Sequence, residues 1–349
     1  MSNQNSTIIV TGGAGYIGSH TIIELLQQTD FNVVSIDNFS NSTTKTFERI
    51  QTITGKEVMN LNVDLCNKDA LELAFQKVKN PIGIIHFAAF KAVGDSVNDP
   101  LGYYHNNLES LINIVKIAEK YSIDNFIFSS SCSVYGNVEH LPVTEDTPFA
   151  KAESPYAHTK QIGEDILINY VKSNPKFKAV LLRYFNPVGA HNSGLNGELS
   201  KDRPNNLVPF ITQSAAGILP PLTVFGDDYD TRDGSCIRDY IHVSDIADAH
   251  VLAMKYVIAN KQKSNVSIFN LGTGNGVTVF EAIKSFEKVT QQKLNYKVGP
   301  RRAGDVIQIY ANNNFAKQEL GWDPKNGLDE MMLSAWKWQL NLAKEKTTN

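Results

Sequence analysis

Residues 7–18 read Thr7-Ile8-Ile9-Val10-Thr11-Gly12-Gly13-Ala14-Gly15-Tyr16-Ile17-Gly18. A short apolar run, Ile8 to Val10, meets glycines at 12, 15 and 18, and an apolar pattern of helical spacing follows through Ile17, Ile22, Leu25 and Leu26. That is a strand, a tight turn and a helix start. Glycines let the backbone turn sharply and approach phosphates, while the free N–H groups and the positive end of the helix dipole face an anion. Asp37 ends a second strand-like run (Val33, Val34, Ile36) about 20 residues beyond the glycines, where a carboxylate accepts the ribose hydroxyls of a dinucleotide. The alternative for the same stretch is an ordinary glycine loop.

Working outward, strand-like runs recur at 58–65, 82–90, 125–131 and 179–185, separated by helical patterns near 67–79, 100–120 and 155–172. This alternation predicts an α/β fold with a Rossmann-like, doubly wound parallel sheet. Such sheets place ligand contacts at the carboxyl ends of their strands, where Asp37-Asn38, Asp64, Ala88-Ala89, Ser129–Ser133 and Asn186 fall. Composition shifts after Asn186-Pro187 to loops rich in Gly, Asn, Asp and Pro. The expected division is therefore a cofactor domain over 1–186 and a smaller mixed α/β substrate domain over 187–349. Whether strands near 236–275 pair back onto the first sheet stays open. The second part is expected to hold a helix near 207–217, strands near 222–225, 236–243 and 266–271, and a C-terminal helix from about 328 to 345. A second cluster, Gly272-Thr273-Gly274-Asn275-Gly276, lacks the third glycine spacing of the dinucleotide pattern and an acidic residue at the expected offset. It reads as a turn outside the strand–helix series.

The chain has 349 residues, 33 basic against 36 acidic, and a formal net charge of -3. That balance gives no general attraction for nucleic acid or anionic membranes and suits a small-molecule enzyme. The three cysteines, Cys66, Cys132 and Cys236, form no CxxC pair, so neither a disulfide framework nor a zinc or other metal site is expected. Residues 1–6 are polar and no run reaches the apolar length of a membrane helix, which together predict a reducing, cytoplasmic setting.

The segment Ser154-Pro155-Tyr156-Ala157-His158-Thr159-Lys160 puts a proline at a first helical turn, with Tyr156 and Lys160 four residues apart on one face. A phenol of pKa near 10 is a poor base at neutral pH. A nearby ammonium and a positive nicotinamide ring favour its phenolate, which makes Tyr156 a candidate base. Taken alone, such a pair is more often a packed ring and a solvated amine, and the serine run is what changes that reading. The serine run Ser129-Ser130-Ser131-Cys132-Ser133 supplies hydroxyls for a substrate oxygen.

Together with His86-Phe87-Ala88-Ala89-Phe90-Lys91-Ala92-Val93-Gly94, Arg183-Tyr184-Phe185-Asn186 and Arg238-Asp239-Tyr240-Ile241-His242-Val243, these motifs resemble the extended short-chain dehydrogenase/reductase family. More narrowly, they are similar to its UDP-glucose 4-epimerases, also called UDP-galactose 4-epimerases. The likeness runs from about residue 7 to the Trp-containing C-terminal helix. It implies a retained NAD that takes a hydride from C4 of a UDP-sugar, giving a 4-keto sugar, and returns it to the other face. By this resemblance Tyr156 is the base, Lys160 tunes it and binds the nicotinamide ribose, and Ser131 positions the sugar oxygen. The implied cofactor contacts are Gly12, Gly15, Tyr16, Ile17, Gly18, Asp37, Asn38, Asp64, Leu65, Phe87, Ala88, Ala89, Lys91, Asn106, Ser129, Tyr156, Lys160 and Tyr184. Asp37, with no arginine directly after it, favours NAD over NADP. On the substrate side the likeness implies Lys91, Ser131, Tyr156, Asn186, Asn206, Leu207, Thr223, Val224, Phe225, Arg238, Arg302, Asp305 and Ile309. Arginine's planar fork suits a pyrophosphate, and Asp305 can accept from ribose hydroxyls.

Two departures stand out. Ala89 and Phe90 replace a common glycine and leucine, and Ile309 falls where members restricted to UDP-glucose and UDP-galactose carry tyrosine. The smaller isoleucine is hypothesised to leave room for a 2-acetamido group, unless the correspondence slips by one onto Tyr310. A 4,6-dehydratase is the alternative within the family, but it places Asp-Glu after the serine or threonine, where this chain has Cys132-Ser133. A silent dinucleotide sensor would lack Tyr156 or Lys160. Apolar stripes at Leu108, Leu111, Ile112 and Val115, and at Ile162, Ile166, Leu167 and Tyr170, fit either a homodimer interface or the face packed on the sheet.

Overall fold

A computed structural model describes residues 5–199, 204–302 and 306–347. In chain order the elements are β1 (Thr7–Thr11), α1 (Tyr16–Gln28), β2 (Asn32–Ile36), α2 (Lys45–Thr54), β3 (Met59–Leu61), α3 (Lys68–Phe75), β4 (Pro81–His86), α4 (Val93–Asn98), α5 (Pro100–Lys120), β5 (Asn125–Ser131), α6 (Pro155–Ser173) and β6 (Lys178–Tyr184). There follow β7 (Asn186–Val188), α7 (Leu207–Ala215), β8 (Leu222–Phe225), β9 (Ile237–His242), α8 (Val243–Ile258), β10 (Val266–Leu271), β11 (Gly276–Thr278), α9 (Val279–Thr290), β12 (Tyr296–Gly299), β13 (Gln308–Ile309), α10 (Asn314–Leu320) and α11 (Leu328–Thr347).

Seven strands form one parallel sheet in the order β10-β6-β5-β4-β1-β2-β3. Its strand order reverses beside β1, so β1 and β4 are neighbours whose following loops leave on opposite sides. Period-2 alternation divides the sheet's side chains between two cores. Ile8, Val10, Ile85, Ile127 and Leu182 pack with α1 and α8 on one face, and Ile9, Val34, Ile84, Phe126 and Leu181 pack with α3, α5 and α6 on the other. No helix among the described residues is long and apolar enough to cross a membrane.

The smaller body combines a four-stranded sheet of β7, β9, β11 and β13 with the parallel pair β8–β12. Its own core joins Val188, Val208, Ile211, Val224, Tyr240, Phe286 and Met332 beneath α7, α9 and α11. Residues 236–275 serve both bodies: β9 lies in the small sheet, whereas β10 pairs in parallel with β6 at the edge of the large one.

Several boundaries differ from the sequence reading. The run at 58–65 is a strand only over Met59–Leu61, because β3 is an edge paired with β2 alone. The run at 82–90 ends at His86, where Phe87–Ala92 turns out of the sheet before α4, a short helix that the apolar pattern does not reveal. The second glycine cluster does not lie outside the parallel series, since the strand before it is the seventh of that sheet. Its N–H groups are nevertheless taken. Asp239, fully buried, accepts from Thr273 N at 2.8 Å, Thr273 Oγ1 at 2.7 Å and Gly274 N at 3.1 Å. The two stripes are split: Leu111, Val115 and Leu167 face the core, and Leu108, Ile112, Ile162, Ile166 and Tyr170 are half-buried.

Between α6 and β6 lies a fully buried carboxylate, Glu164, which accepts from Arg183 Nε at 2.9 Å and Nη2 at 2.6 Å and also from Ser130 Oγ. Removing one member of such a pair strands the other charge. Glu164→Ala is expected to lower stability by about 3–5 kcal/mol in urea unfolding, and Glu164→Leu combined with Arg183→Met to recover much of that loss.

Candidate active site

Gly12 follows β1 with φ +68°, in the left-handed region, and its N–H donates to the Ile36 carbonyl at 2.8 Å. A Cβ here would lie 2.9 Å from Ala88 N, so only glycine lets the loops after β1 and β4 meet. A Cβ on Gly18 would lie 2.3 Å from the Gly12 carbonyl oxygen, so this glycine lets α1 press on the turn. Gly15 is the N-cap of α1 and supplies no side-chain cap, which leaves Tyr16, Ile17 and Gly18 in a first turn suited to an anion. Asp37 accepts from Ala14 N at 3.0 Å, Phe39 N at 2.9 Å and Ser42 Oγ at 2.8 Å. A carboxylate offers about four acceptor sites, so Asp37 ties the turn to β2 and keeps capacity for a further donor. Asn38 beside it is exposed and accepts from Ser40 N. This cradle, its uncapped helix and its acidic edge fit NAD.

On the other side of the switch point, Thr11 Oγ1 bonds His86 Nδ1 at 2.8 Å and accepts from Ala88 N at 3.3 Å, which sets the Phe87–Ala89 loop beside the turn. Asn107, which the sequence reading missed, accepts from Phe90 N at 2.8 Å and donates to the Phe90 carbonyl at 3.1 Å. Its neighbour Asn106 receives the Cys66 thiol on its carbonyl, so the Asp64-Leu65 corner closes on α5. Asp64 itself is exposed and Leu65 buried. Lys91 pairs at 2.7 Å with Glu198, a second residue with no sequence signal because its partner is 107 positions away.

Ser154 caps α6 through Ala157 N at 3.1 Å, with Pro155 opening the helix, and its first two turns carry Tyr156 and Lys160. Lys160 is buried, and its Nζ donates to the Ser129 carbonyl at 2.6 Å. That Nζ lies 5.0 Å from the Phe128 ring centroid and 5.9 Å from that of Tyr156. The Ser129 hydroxyl receives Tyr184 Oη. Ser131 Oγ accepts from Ser133 N at 3.2 Å and from Ser133 Oγ at 3.0 Å. Burial pushes Tyr156 up to about 12, with the Ser131 hydrogen bond opposing. The downward shift expected from Lys160 therefore does not arise from the chain's own groups, because the ammonium is directed at the Ser129 carbonyl. Burial pulls Lys160 down to about 8, and Glu164 one turn later opposes this.

The remaining residues named from the sequence lie in the smaller body. Asn186 opens β7 opposite Tyr240. Arg238 on β9 is directly in register with Ile309 on β13, so the two share a face. Ile309 packs with Val134, Tyr135 and Phe185, with Cys132 at the rim, which places it beside the serine run. The Tyr310 ring lies instead against Gly276, so position 309 is the one on the Arg238 face. Asn206 stands at the N-cap position of α7 ahead of Leu207 without a side-chain cap bond, and its Nδ2 donates to Glu198 at 3.2 Å. Thr223, Val224 and Phe225 form β8, and the Arg302 guanidinium sits 5.6 Å from the Phe225 ring centroid. Asp305 lies outside the described residues.

The family described as GDP-mannose 4,6 dehydratase matches residues 9–334. A Caenorhabditis elegans protein named UDP-glucose 4-epimerase is 46% identical over 343 residues, 95% of this chain and 97% of that one. A UDP-glucose 4-epimerase from Stenotrophomonas maltophila, solved with NAD and formylated UDP-arabinopyranose, superposes with TM-score 0.93 at 40% identity, covering 97% of this chain and 99% of its own. The Bifidobacterium longum UDP-glucose 4-epimerase, solved with NAD+ and UDP, gives TM-score 0.90 at 44% identity and 96% and 98% coverage. The chain belongs to the UDP-glucose 4-epimerase family. Within that family frame, Cys132 and Ser133 stand where a dehydratase needs an acid and a base. Burial pushes the Cys132 thiol up to about 12, so it serves as neither near neutral pH.

The Lys160 shift has a signed consequence. From pH 8 to 10.5 the unfolded chain holds a proton at this site that the folded chain has lost, so the site's contribution to stability rises with pH through that window and is least favourable below it. The stability of the cofactor-free chain relative to Lys160→Met is expected to climb between pH 8 and 10.5. A difference that stays flat in denaturant titrations would contradict the assignment.

Proposed function

We propose that this chain is an NAD-dependent epimerase that interconverts UDP-glucose and UDP-galactose by transient oxidation at C4. The observation that carries this is the Lys160 Nζ bond to the Ser129 carbonyl, which holds the helix of Tyr156 and Lys160 against the strand end that carries Ser131. Bound NAD+ supplies the hydride acceptor and donor. Tyr156 Oη takes the proton of the sugar 4-hydroxyl, and Ser131 Oγ holds the same oxygen against it. Lys160, fixed by the Ser129 carbonyl, stabilises the phenolate and holds the nicotinamide ribose. On return of the hydride to the opposite face of the 4-keto sugar, Tyr156 gives the proton back, so no net redox change occurs.

Residues 1–186, joined by α8 and β10, would hold the cofactor through Gly12, Gly15–Gly18, Asp37, Asn38, Asp64, Phe87–Ala89, Lys91, Asn106 and Tyr184. Residues 187–349 would hold the UDP-sugar through Asn206, Leu207, Thr223–Phe225, Arg238 and Arg302, with Asn186 and Asp305. The half-buried outer rows of α5 and α6 support a homodimer through these helices, and three free cysteines support a cytoplasmic setting. The short side chain at Ile309 supports acceptance of the N-acetylated UDP-sugars.

Purified protein given UDP-galactose is expected to yield UDP-glucose. Tyr156→Phe should slow this by about 10²–10⁴-fold while NAD stays bound. Absence of conversion even with added NAD+ would sink the proposal. UDP-N-acetylgalactosamine is expected to turn over as well, and Ile309→Tyr to abolish that reaction while UDP-galactose is still converted.

A further inference from the structure

Residues 189–198 leave the small sheet after β7 and cross back to the first helix. Tyr16 Oη donates to the Gly189 carbonyl at 2.6 Å, a contact spanning 173 positions. Asn196, only 2% exposed, donates from Nδ2 to Ser19 Oγ at 2.9 Å. Glu198 Oε1 takes both Lys91 Nζ at 2.7 Å and Asn206 Nδ2 at 3.2 Å. The carboxylate end of the ion pair is the anchored one, with a side-chain exposure of 11% against 52% for Lys91. From behind, Trp338 Nε1 donates to the Glu198 carbonyl at 2.8 Å and Asn341 Nδ2 to the Gly194 carbonyl at 2.7 Å. A Cβ on Gly197 would lie 2.5 Å from the Trp338 ring, so the segment is pressed directly onto α11.

This segment is one wall of the cavity at the glycine turn: Ala14, Gly15, Ser42 and Thr46 line one side, and Asn196 and Gly197 the other. The turn by itself is a shelf with favourable N–H groups and an open side. The segment that forms the opposing wall is held by bonds at Gly189, Asn196 and Glu198, so moving it away from the turn breaks these together.

We infer that residues 189–198 are the element that keeps the dinucleotide bound between turnovers, with Asn196 and Glu198 as its positioning residues; this rests on the cofactor reading given above. Hydride removal and return by one nicotinamide require such retention, and an open turn does not supply it. Glu198 has a second effect, since it holds the Lys91 ammonium beside the Tyr16 ring, 5.9 Å from its centroid, and so beside the turn.

The test is exchange of bound NAD for isotopically labelled NAD+ in the full-length protein, read by mass spectrometry independently of turnover. Asn196→Ala and Glu198→Ala are each expected to speed exchange about tenfold, the effect of one lost hydrogen bond. Glu198→Gln, which keeps an acceptor oxygen, should fall between. Asn341→Ala loosens the segment from α11 without touching α1, and should speed exchange even if one of the other variants folds poorly. Unchanged exchange in all of these overturns the inference, as does equal acceleration by Asn192→Ala at the exposed tip of the segment. A wild-type chain that binds NAD but exchanges it as fast as the variants overturns this inference alone, whereas one that binds no dinucleotide overturns the proposed function with it.

Discussion

There is no room for a side chain where β1 and β4 part. A Cβ on Gly12 would sit 2.9 Å from the amide nitrogen of Ala88, and the left-handed φ of Gly12 is itself one that side chains resist. Because the two loops touch at that point, the reversal of strand order becomes a crevice with a helix N-terminus on one side and the Phe87–Ala89 backbone on the other. The seven-stranded sheet then sets the remaining distances. β5 and β6 carry Ser129–Ser131 and Tyr184 to the same edge, in register at Ser131 and Tyr184.

Charge is layered behind that edge. Arg183 and Glu164 form a buried pair, Glu164 receives Ser130, and Lys160 stands one helical turn before Glu164 with its ammonium on the Ser129 carbonyl. Burial drives Lys160 down and Tyr156 up, so each group's charged form is disfavoured by the protein alone. Near neutral pH this leaves Tyr156 a neutral phenol beside a Lys160 that is still mostly ammonium, so the phenolate waits on charge that a ligand brings, which suits a tyrosine that must both take and return a proton.

The smaller body works as a clamp of the same logic with the roles reversed. Its glycine cluster at 272–276 resembles a phosphate loop, yet the anion it holds is the Asp239 carboxylate, which also accepts from Ala311 N at 3.1 Å. That internal anion locks β9 to the segment carrying Ile309, and so sets Arg238 beside Ile309. Spacing alone could not tell a loop that binds a ligand from one that binds its own chain, since both need the same backbone. The same limit hid Asn107, Glu164, Asn196 and Glu198: each has a partner between 17 and 177 positions distant, and no local pattern marks them.

What the sequence determined by itself was everything carried by short-range periodicity: the strand–turn–helix at 7–18, the alternation that makes a parallel sheet, and the one-turn spacing of Tyr156 and Lys160 on a helix capped by Ser154. These follow from backbone geometry within a few residues. Only the tertiary structure decided which glycine cluster stays available to a ligand, that β10 returns to the first sheet, that Ile309 rather than Tyr310 shares the face of Arg238, and that residues 189–198 lie across a cavity from the turn. Those outcomes depend on which distant groups satisfy one another's hydrogen bonds and charges, and that is settled only when the two bodies pack.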